Sequence, residues 1–357
     1  MTPKVSLVIP CCNVERYVEQ CVRSAMAQTL SEIQIICVND GSVDGTLDIL
    51  NQLAAEDSRI EVIDKVNTGY GNSMNVGFDA ATGEYIAVLE SDDFIDDDML
   101  QVHYDLAVKH NLDVVKSNFF FYWSTPEERN VHCGLLDAEE CGRVVDPYEE
   151  RHIFFIKPSI WSAMYKTSFI RENEIRFNET PGASYQDASF NFQVWLNAKR
   201  VWFIHEAYLH YRQDNEKSSI NSPGKVYCVC DEYERMQGFV EEITDPDRAR
   251  EMRAVLVVMK WDSYMWNYDR LAPELARGFL DRVVEEMRGH IDRGELDWGM
   301  FRDYKARDLR ILLDDPDFAH LRLQGYKKKD GALGRAISYF KAGGLDYVVK
   351  PFRYKVE

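Results

Sequence analysis

The sequence predicts an α/β protein: an open, mostly parallel twisted sheet with helices on both faces, followed by a helical C-terminal extension. Three observations predict it. Over roughly the first hundred residues, short β-branched apolar runs alternate with stretches of helical period. Each of several runs is closed by a polar cluster. After Pro223 the pattern changes to long helices, for example Ala249–Trp266 and Leu275–Arg288. Parallel strands joined by helices lie side by side, and such sheets bind ligands beyond the carboxyl ends of their strands.

The elements follow in order. Val5–Ile9 suits a buried parallel strand. Asn13 is placed to cap a helix in which Val14, Tyr17, Val18, Cys21, Val22, Ala25 and Met26 recur at helical spacing. Ile33–Val38 is the second strand, closed by Asp40-Gly41-Ser42. Asp44 can then cap a helix carrying Leu47, Leu50, Leu53 and Ala54. Ile60–Ile63 is the third strand, and a Gly- and Asn-rich connection over 67–72 leads to a third helix. Tyr85–Leu89 is the fourth strand and ends in Glu90-Ser91-Asp92-Asp93. Further on, Asp113–Phe119, Ile160–Tyr165 and Val201–Ile204 read as strands and Asp187–Ala198 as a helix. The stretch 122–158 carries weak signals and reads as an insertion or an acceptor loop. The boundary between a ligand-binding domain, 1–222, and the extension, 223–357, is drawn at this change of pattern.

Composition excludes some classes. The chain has 357 residues and a formal net charge of −18, the reverse of a general nucleic-acid binder. An anionic substrate remains compatible, because a divalent cation can bridge carboxylates to a diphosphate. Eight cysteines show no zinc spacing and several lie in apolar runs, which reads as reduced thiols and a cytoplasmic protein. No apolar run reaches signal-peptide or membrane-spanning length. The segment 322–357 holds nine Lys or Arg against three acids, a formal +6 that leaves about −24 for the rest. Leu333, Ile337, Phe340, Leu345, Val348, Val349 and Phe352 are interleaved with these charges. Such a tail either rests on an anionic membrane surface at the inner face or packs as a helix with solvated lysines.

The chemistry sits at the strand ends. In an extended chain Glu90 and Asp92 point the same way. One carboxylate can then reach a ribose hydroxyl while the other ligates a hard dication, Mn²⁺ or Mg²⁺. Alone, such a cluster is usually a solvated turn, and an Asp-Gly such as Asp40-Gly41 is usually an ordinary one. Their order raises the odds: Pro10 to Asn13, then Asn39 to Ser42, then Glu90 to Asp93, each closing a strand of one sheet.

The segments V-S-L-V-I-P-C-C-N, I-I-C-V-N-D-G-S-V-D-G-T and G-E-Y-I-A-V-L-E-S-D-D-F together resemble the family-2 inverting glycosyltransferases of GT-A fold. The resemblance continues more weakly through I-W-S-A-M-Y-K-T-S-F, Y-Q-D-A-S-F and Y-R-Q-D-N-E-K-S-S, to about Ser222. It implies transfer of a sugar from a nucleotide-sugar donor, typically a UDP-sugar, to a lipid-linked or polysaccharide acceptor. It implies that Pro10 and Asn13 line the nucleotide pocket and that Asp40 reads the base. Glu90 stands in the place of the first Asp of the family's D-x-D, near the ribose, and Asp92 at the metal-binding position. Asp187, after Gln186 where the family commonly has Glu, becomes the base that deprotonates the acceptor hydroxyl, or else caps its helix. Arg212 becomes the late basic residue near the diphosphate, or else pairs with surrounding acids. His205 and His210 are open as a third metal ligand or as structural groups, and Trp161 as an acceptor platform or as core.

Two rivals are weighed on residues. A nucleotidyltransferase or a dinucleotide-dependent oxidoreductase needs a Gly-rich phosphate loop after the first strand, and Pro10-Cys11-Cys12-Asn13 is not one. A catalytically degenerate domain that only binds a nucleotide sugar or a partner stays open through Glu90 and Gln186.

Overall fold

The computed structural model describes residues 2–180, 185–215, 226–328 and 331–354, without the side chain of Phe352. Residues 216–222 of the last resembling segment, and the final three residues of the basic tail, lie outside this range. The chain divides into two compact units, Met1–Ile220 and Asn221–Glu357.

The first unit is a three-layer α/β body. Its strands are β1 (Val5–Cys11), β2 (Ile33–Asp40), β3 (Ile60–Lys65), β4 (Tyr85–Val88), β5 (Phe94–Ile95), β6 (Val114–Trp123), β7 (Arg129–Cys133), β8 (Val144–Val145), β9 (Ala163–Lys166) and β10 (Val201–Arg212). Its helices are α1 (Val18–Met26), α2 (Thr46–Glu56), α3 (Tyr70–Ala80), α4 (Met99–His110), α5 (Thr167–Glu172) and α6 (Gln186–Asn197). The sheet runs β3-β2-β1-β4-β9-β6-β10-β5. All of β1 and β4 is buried, as helices on both faces require.

The sheet is mixed. Strands β1 to β4 are parallel, with Val5 opposite both Ile33 and Tyr85. Strands β6 and β10 are also parallel. Between these halves β9 runs antiparallel to both β4 and β6. Ile160–Ser162, expected as the start of this strand, forms a 3-10 turn, and only Ala163–Lys166 pairs. The expected strand Val201–Ile204 continues to Arg212, through two irregularities in its pairing with β6. Two-residue β5 folds back antiparallel on β10, placing Phe94 opposite His210. That hairpin-like return brings the acidic segment 90–93 against the end of β10.

Two helix starts differ from expectation. Asn13 does not cap α1: the N-cap is Tyr17, and Asn13 sits in the left-handed region at φ 55°. An asparagine tolerates this conformation, and its side chain is used across the loop instead. Asp44 is not the cap of α2 either: the N-cap is Gly45, and Asp44, one residue before it, accepts from the backbone N–H and the hydroxyl of Thr46. The segment expected to be irregular, 122–158, contains the exposed hairpin strand β7, the short β8 and a 3-10 turn over Arg151–Phe155.

Among its described residues the second unit is helical: α7 (Cys228–Glu241), α8 (Pro246–Arg270), α9 (Pro273–Asp292), α10 (Asp303–Asp314), α11 (Pro316–Lys327) and α12 (Ala332–Val349). Asp245 and Asp315 cap α8 and α11, each with a proline at the first helical position. Its core holds Tyr264, Phe279, Val283, Met287, Leu309 and Phe318. Helix α12 is different. It buries only Tyr339, bends at Gly343–Gly344, and leaves Leu333, Ile337, Phe340, Leu345 and Val349 exposed.

Candidate active site

The carboxyl ends of β1, β2 and β4 lie on one edge, since Cys11 pairs with Asn39 and Val8 with Val88. The loops after β1 and β2 are laced together. Asn13 N–H donates to the Ser42 hydroxyl at 3.0 Å, and Val43 N–H donates to Asn13 Oδ1 at 2.9 Å. Val14 N–H donates to Thr46 Oγ1, and Gly45 N–H to Glu15 Oε2. Pro10 is buried at the end of β1, with no N–H to satisfy.

Asp40 is buried and organises the next loop. Its carboxylate accepts from Thr68 N–H at 2.8 Å, Gly69 N–H at 3.0 Å and the Lys65 ammonium. Gly69 takes φ 97°, a value that favours glycine. The residue after it, Tyr70, starts α3 and donates its hydroxyl to Glu90 Oε1 at 2.6 Å. Asp40 therefore meets the acidic centre through one loop residue and not by direct contact.

Glu90 lies within electrostatic reach of both Asp92 and Asp187. Burial pushes the Glu90 carboxyl up to about 8, and the negative charges of Asp92 and Asp187 add to this, against the Tyr70 hydroxyl, which lowers it. Asp187, in the first turn of α6, is raised to about 6 by burial, opposed by the Ala188 N–H and the ammonium of Lys157. Asp93 is buried, and burial together with Asp92 holds its carboxyl well above the usual range. Its Oδ1 accepts from Arg212 N–H, while Oδ2 has no hydrogen-bond partner among the described residues. Tyr211 lies in the field of all four carboxylates, and its hydroxyl is pushed up, chiefly by burial. A cluster of acids compensated by so little positive charge is the signature of a site that expects a cation or a proton.

Asp92 is part-exposed and gives one oxygen, Oδ2, to the Asn215 amide at 2.8 Å. Among the described residues, no three His, Cys, Asp or Glu side chains converge as a ready-made metal cage. The donor set fits instead a hard dication that takes one or two carboxylate oxygens and fills its shell from phosphate and water.

Arg212 is placed differently from a free phosphate clamp. Its guanidinium is buried between Tyr17 and Tyr122, 4.8 Å from each ring. Nε donates to the Asp92 carbonyl and Nη2 to Gln20 Oε1, so that it pins the acidic segment. His210 stacks on Phe94 and bonds Asn130 and Asp96, which makes it structural. His205 packs by its ring against His132, 5.8 Å away. Trp161 is buried and stacks on Tyr211 at 4.9 Å. Gln186 is buried and donates to Thr180 Oγ1, tying α6 back to the segment before it. Sequence reasoning missed Tyr70, Tyr211 and Lys157. Tyr70 and Tyr211 lie inside segments already singled out. Lys157 lies in the weak-signal stretch and is fixed only by folding: buried Lys116 donates to Ser159 and Ser162 and so holds the turn that carries Lys157 and Trp161.

A helix-covered parallel half-sheet with an acidic cluster beyond its strand ends defines the GT-A class of fold. The family model described as glycosyl transferase family 2 matches residues 6–173. The matched segment runs from β1 through α5 of the N-terminal unit. An uncharacterized glycosyltransferase of Bacillus subtilis, EpsJ, is 31% identical over 219 residues, 60% of this chain and 62% of the relative. A poly(ribitol-phosphate) beta-glucosyltransferase of Bacillus spizizenii is 30% identical over 223 residues, 61% of this chain and 34% of the relative. The chain thus spans less than two thirds of these relatives' length. Among solved structures, S. aureus TarS 1-349 in complex with UDP-GlcNAc superposes with a TM-score of 0.70 at 19% identity, covering 91% of this chain and 92% of that one.

Proposed function

We propose that the chain is an inverting glycosyltransferase that moves a sugar from a UDP-sugar donor to a hydroxyl of a lipid-linked or polysaccharide acceptor, with assistance from Mn²⁺ or Mg²⁺. The observation that carries this reading is the buried, charge-poor group of Glu90, Asp93 and Asp187, with Glu90 in the field of Asp92 and Asp187, beyond the end of β4. Pro10, Asn13 and Asp40 line the side for the uracil and ribose, and the UDP-GlcNAc complex of a TarS neighbour of like fold supports that choice of donor. Arg212 serves the diphosphate side by holding the Asp92 segment in place. Asp92, with Glu90 beside it, would hold the cation, which would neutralise charge on the departing diphosphate.

Asp187 is the general base. The acceptor oxygen forms a bond to the anomeric carbon while the carbon–oxygen bond to the diphosphate breaks. The acceptor proton goes to the Asp187 carboxylate and the bonding electrons leave with UDP. A carboxyl raised to about 6 is poised for this task near neutral pH. The Lys157 ammonium keeps it ionised against the cost of burial. Glu90, raised to about 8, carries a proton when no cation is near and can donate it to a ribose hydroxyl.

No described helix is long and apolar enough to cross a membrane. The exposed apolar residues of α12, set among the basic residues of 322–357, support peripheral attachment to an anionic inner membrane face, where a lipid-linked acceptor would lie. Thermal-shift measurement against UDP-sugars with and without Mn²⁺, paired with a donor-hydrolysis assay, tests the proposal. Stabilisation by one UDP-sugar with metal-dependent hydrolysis is expected. Metal-independent binding with no turnover would identify a domain that binds and does not catalyse.

A further inference from the structure

The two faces of β6 and β10 are used unequally. Alternation along a strand puts Phe119, Phe121 and Trp123 on one face and Phe120 and Tyr122 on the other. On the second face the rings pair with other side chains: Phe120 stacks on His210 at 5.1 Å, and Phe94 packs on both His210 and Tyr122. On the first face, Phe119 and Trp161 are buried and form a base, their rings 4.5 Å apart. Above it Tyr211, Phe121 and Trp123 stay part-exposed. Tyr211 is opposite Phe121 in the parallel register, with ring centroids 6.3 Å apart. Trp123 continues the row at 6.3 Å from Phe121.

The row has a direction. Its inner end, Tyr211, precedes Arg212, whose N–H donates to Asp93 Oδ1 in the acidic segment at 2.8 Å. Cations accompany it. The Lys157 ammonium lies 5.0 Å from the Tyr211 ring and 5.7 Å from that of Phe121. At the outer end the Arg129 guanidinium stacks 3.9 Å over Trp123. Flat apolar rings interleaved with hydrogen-bond donors match a sugar, which has an apolar face of C–H bonds and a rim of hydroxyls. A lipid tail would call for an apolar groove free of cations.

We infer that Tyr211, Phe121 and Trp123 form a carbohydrate-binding track leading outward from Asp187, so that the acceptor is a glycan chain of several rings and not a single sugar. This deepens the proposed function and rests on it. Phe121 and Trp123 are about 7 Å apart along the strand, so a single ring at Tyr211 does not reach Trp123.

Cello-, malto- and chito-oligosaccharides of one to six units are titrated into the full chain loaded with UDP and Mn²⁺, read by tryptophan fluorescence and saturation-transfer NMR. In at least one series affinity should rise with length through the third or fourth ring. Trp123→Ala should lose roughly three- to tenfold on the longer members and nothing on the monosaccharide, Trp123→Phe should restore most of it, and UDP affinity should not change. Length-independent binding, no binding of any series, or a length dependence that survives Trp123→Ala would overturn the track. UDP affinity and donor hydrolysis are read on the same samples. Their loss in the unmodified chain would sink the parent reading, whereas intact donor chemistry with no length effect sinks only the track.

Discussion

Each unit buries carboxylates, and the two units treat them in opposite ways. In the helical unit, Glu286 accepts from the Lys260 ammonium at 3.0 Å, the Tyr264 hydroxyl at 2.7 Å and the Arg282 guanidinium at 2.5 Å. Glu295 is met by His290 at 2.6 Å and Arg293 at 2.9 Å. Both carboxyls end below their usual range although burial pushes them up, because the cations outweigh desolvation. In the cleft, Glu90 has a tyrosine hydroxyl and Asp187 a backbone amide, and both carboxyls are raised. One cluster is built to be complete within the protein. The other is left short of positive charge, and a bound cation and an acceptor proton are what would complete it.

The largest expected effect comes from emptying the incomplete cluster of its base. Asp187→Asn should lower sugar transfer by roughly 10²–10⁴-fold while leaving UDP-sugar affinity in place, measured by product formation and calorimetry. Equal loss of both would show Asp187 to be a scaffold and would erase the contrast. Breaking the complete cluster should act on stability instead. Glu286→Ala strands Lys260 in the helical core and should cost about 3–5 kcal/mol, read as a lower denaturation midpoint.

Glu90→Gln should move stability the other way. A carboxyl whose folded value is raised binds more protons folded than unfolded, so stability falls as pH rises from the ordinary carboxyl range toward 8. Removing the charge should flatten that fall in the metal-free protein, with a gain of ~2–4 °C in Tm at pH 8 and little change at pH 5. The smallest effect belongs to Lys157→Met. Without the ammonium Asp187 should titrate higher, and the rising limb of the pH–rate profile should move up from about 6. An unmoved limb would remove Lys157 from the site.

The parallel half of the sheet was legible because each strand there ends in polar residues that a buried run cannot contain. Asp40, Glu90 and Asp92 were singled out for the same reason. The antiparallel insertion of β9 was not legible, since a four-residue apolar run reads alike in either direction. Asn13 resembled a cap because caps and left-handed turn residues draw on the same amino acids. Tyr70, Tyr211 and Lys157 gain their meaning only from neighbours far along the chain: Lys157 lies 30 residues before Asp187 and Tyr211 more than 100 after Glu90. Arg212 was singled out in the sequence, but the sandwich between Tyr17 and Tyr122 that occupies it depends on the return of β5, which two residues cannot announce.

Gly71, one residue into α3, lies against the backbone carbonyl of Asn178 so closely that even a single methyl group would strike it. Asn72 and Asn75 on the same helix clasp Glu179. The helix that presents Tyr70 to Glu90 is thus keyed, main chain to main chain, into the segment that runs toward Asp187. The placing of Tyr70 against Glu90 is therefore tied to a contact that tolerates no side chain. An alanine at this spot would alter that placing without touching any group that does chemistry.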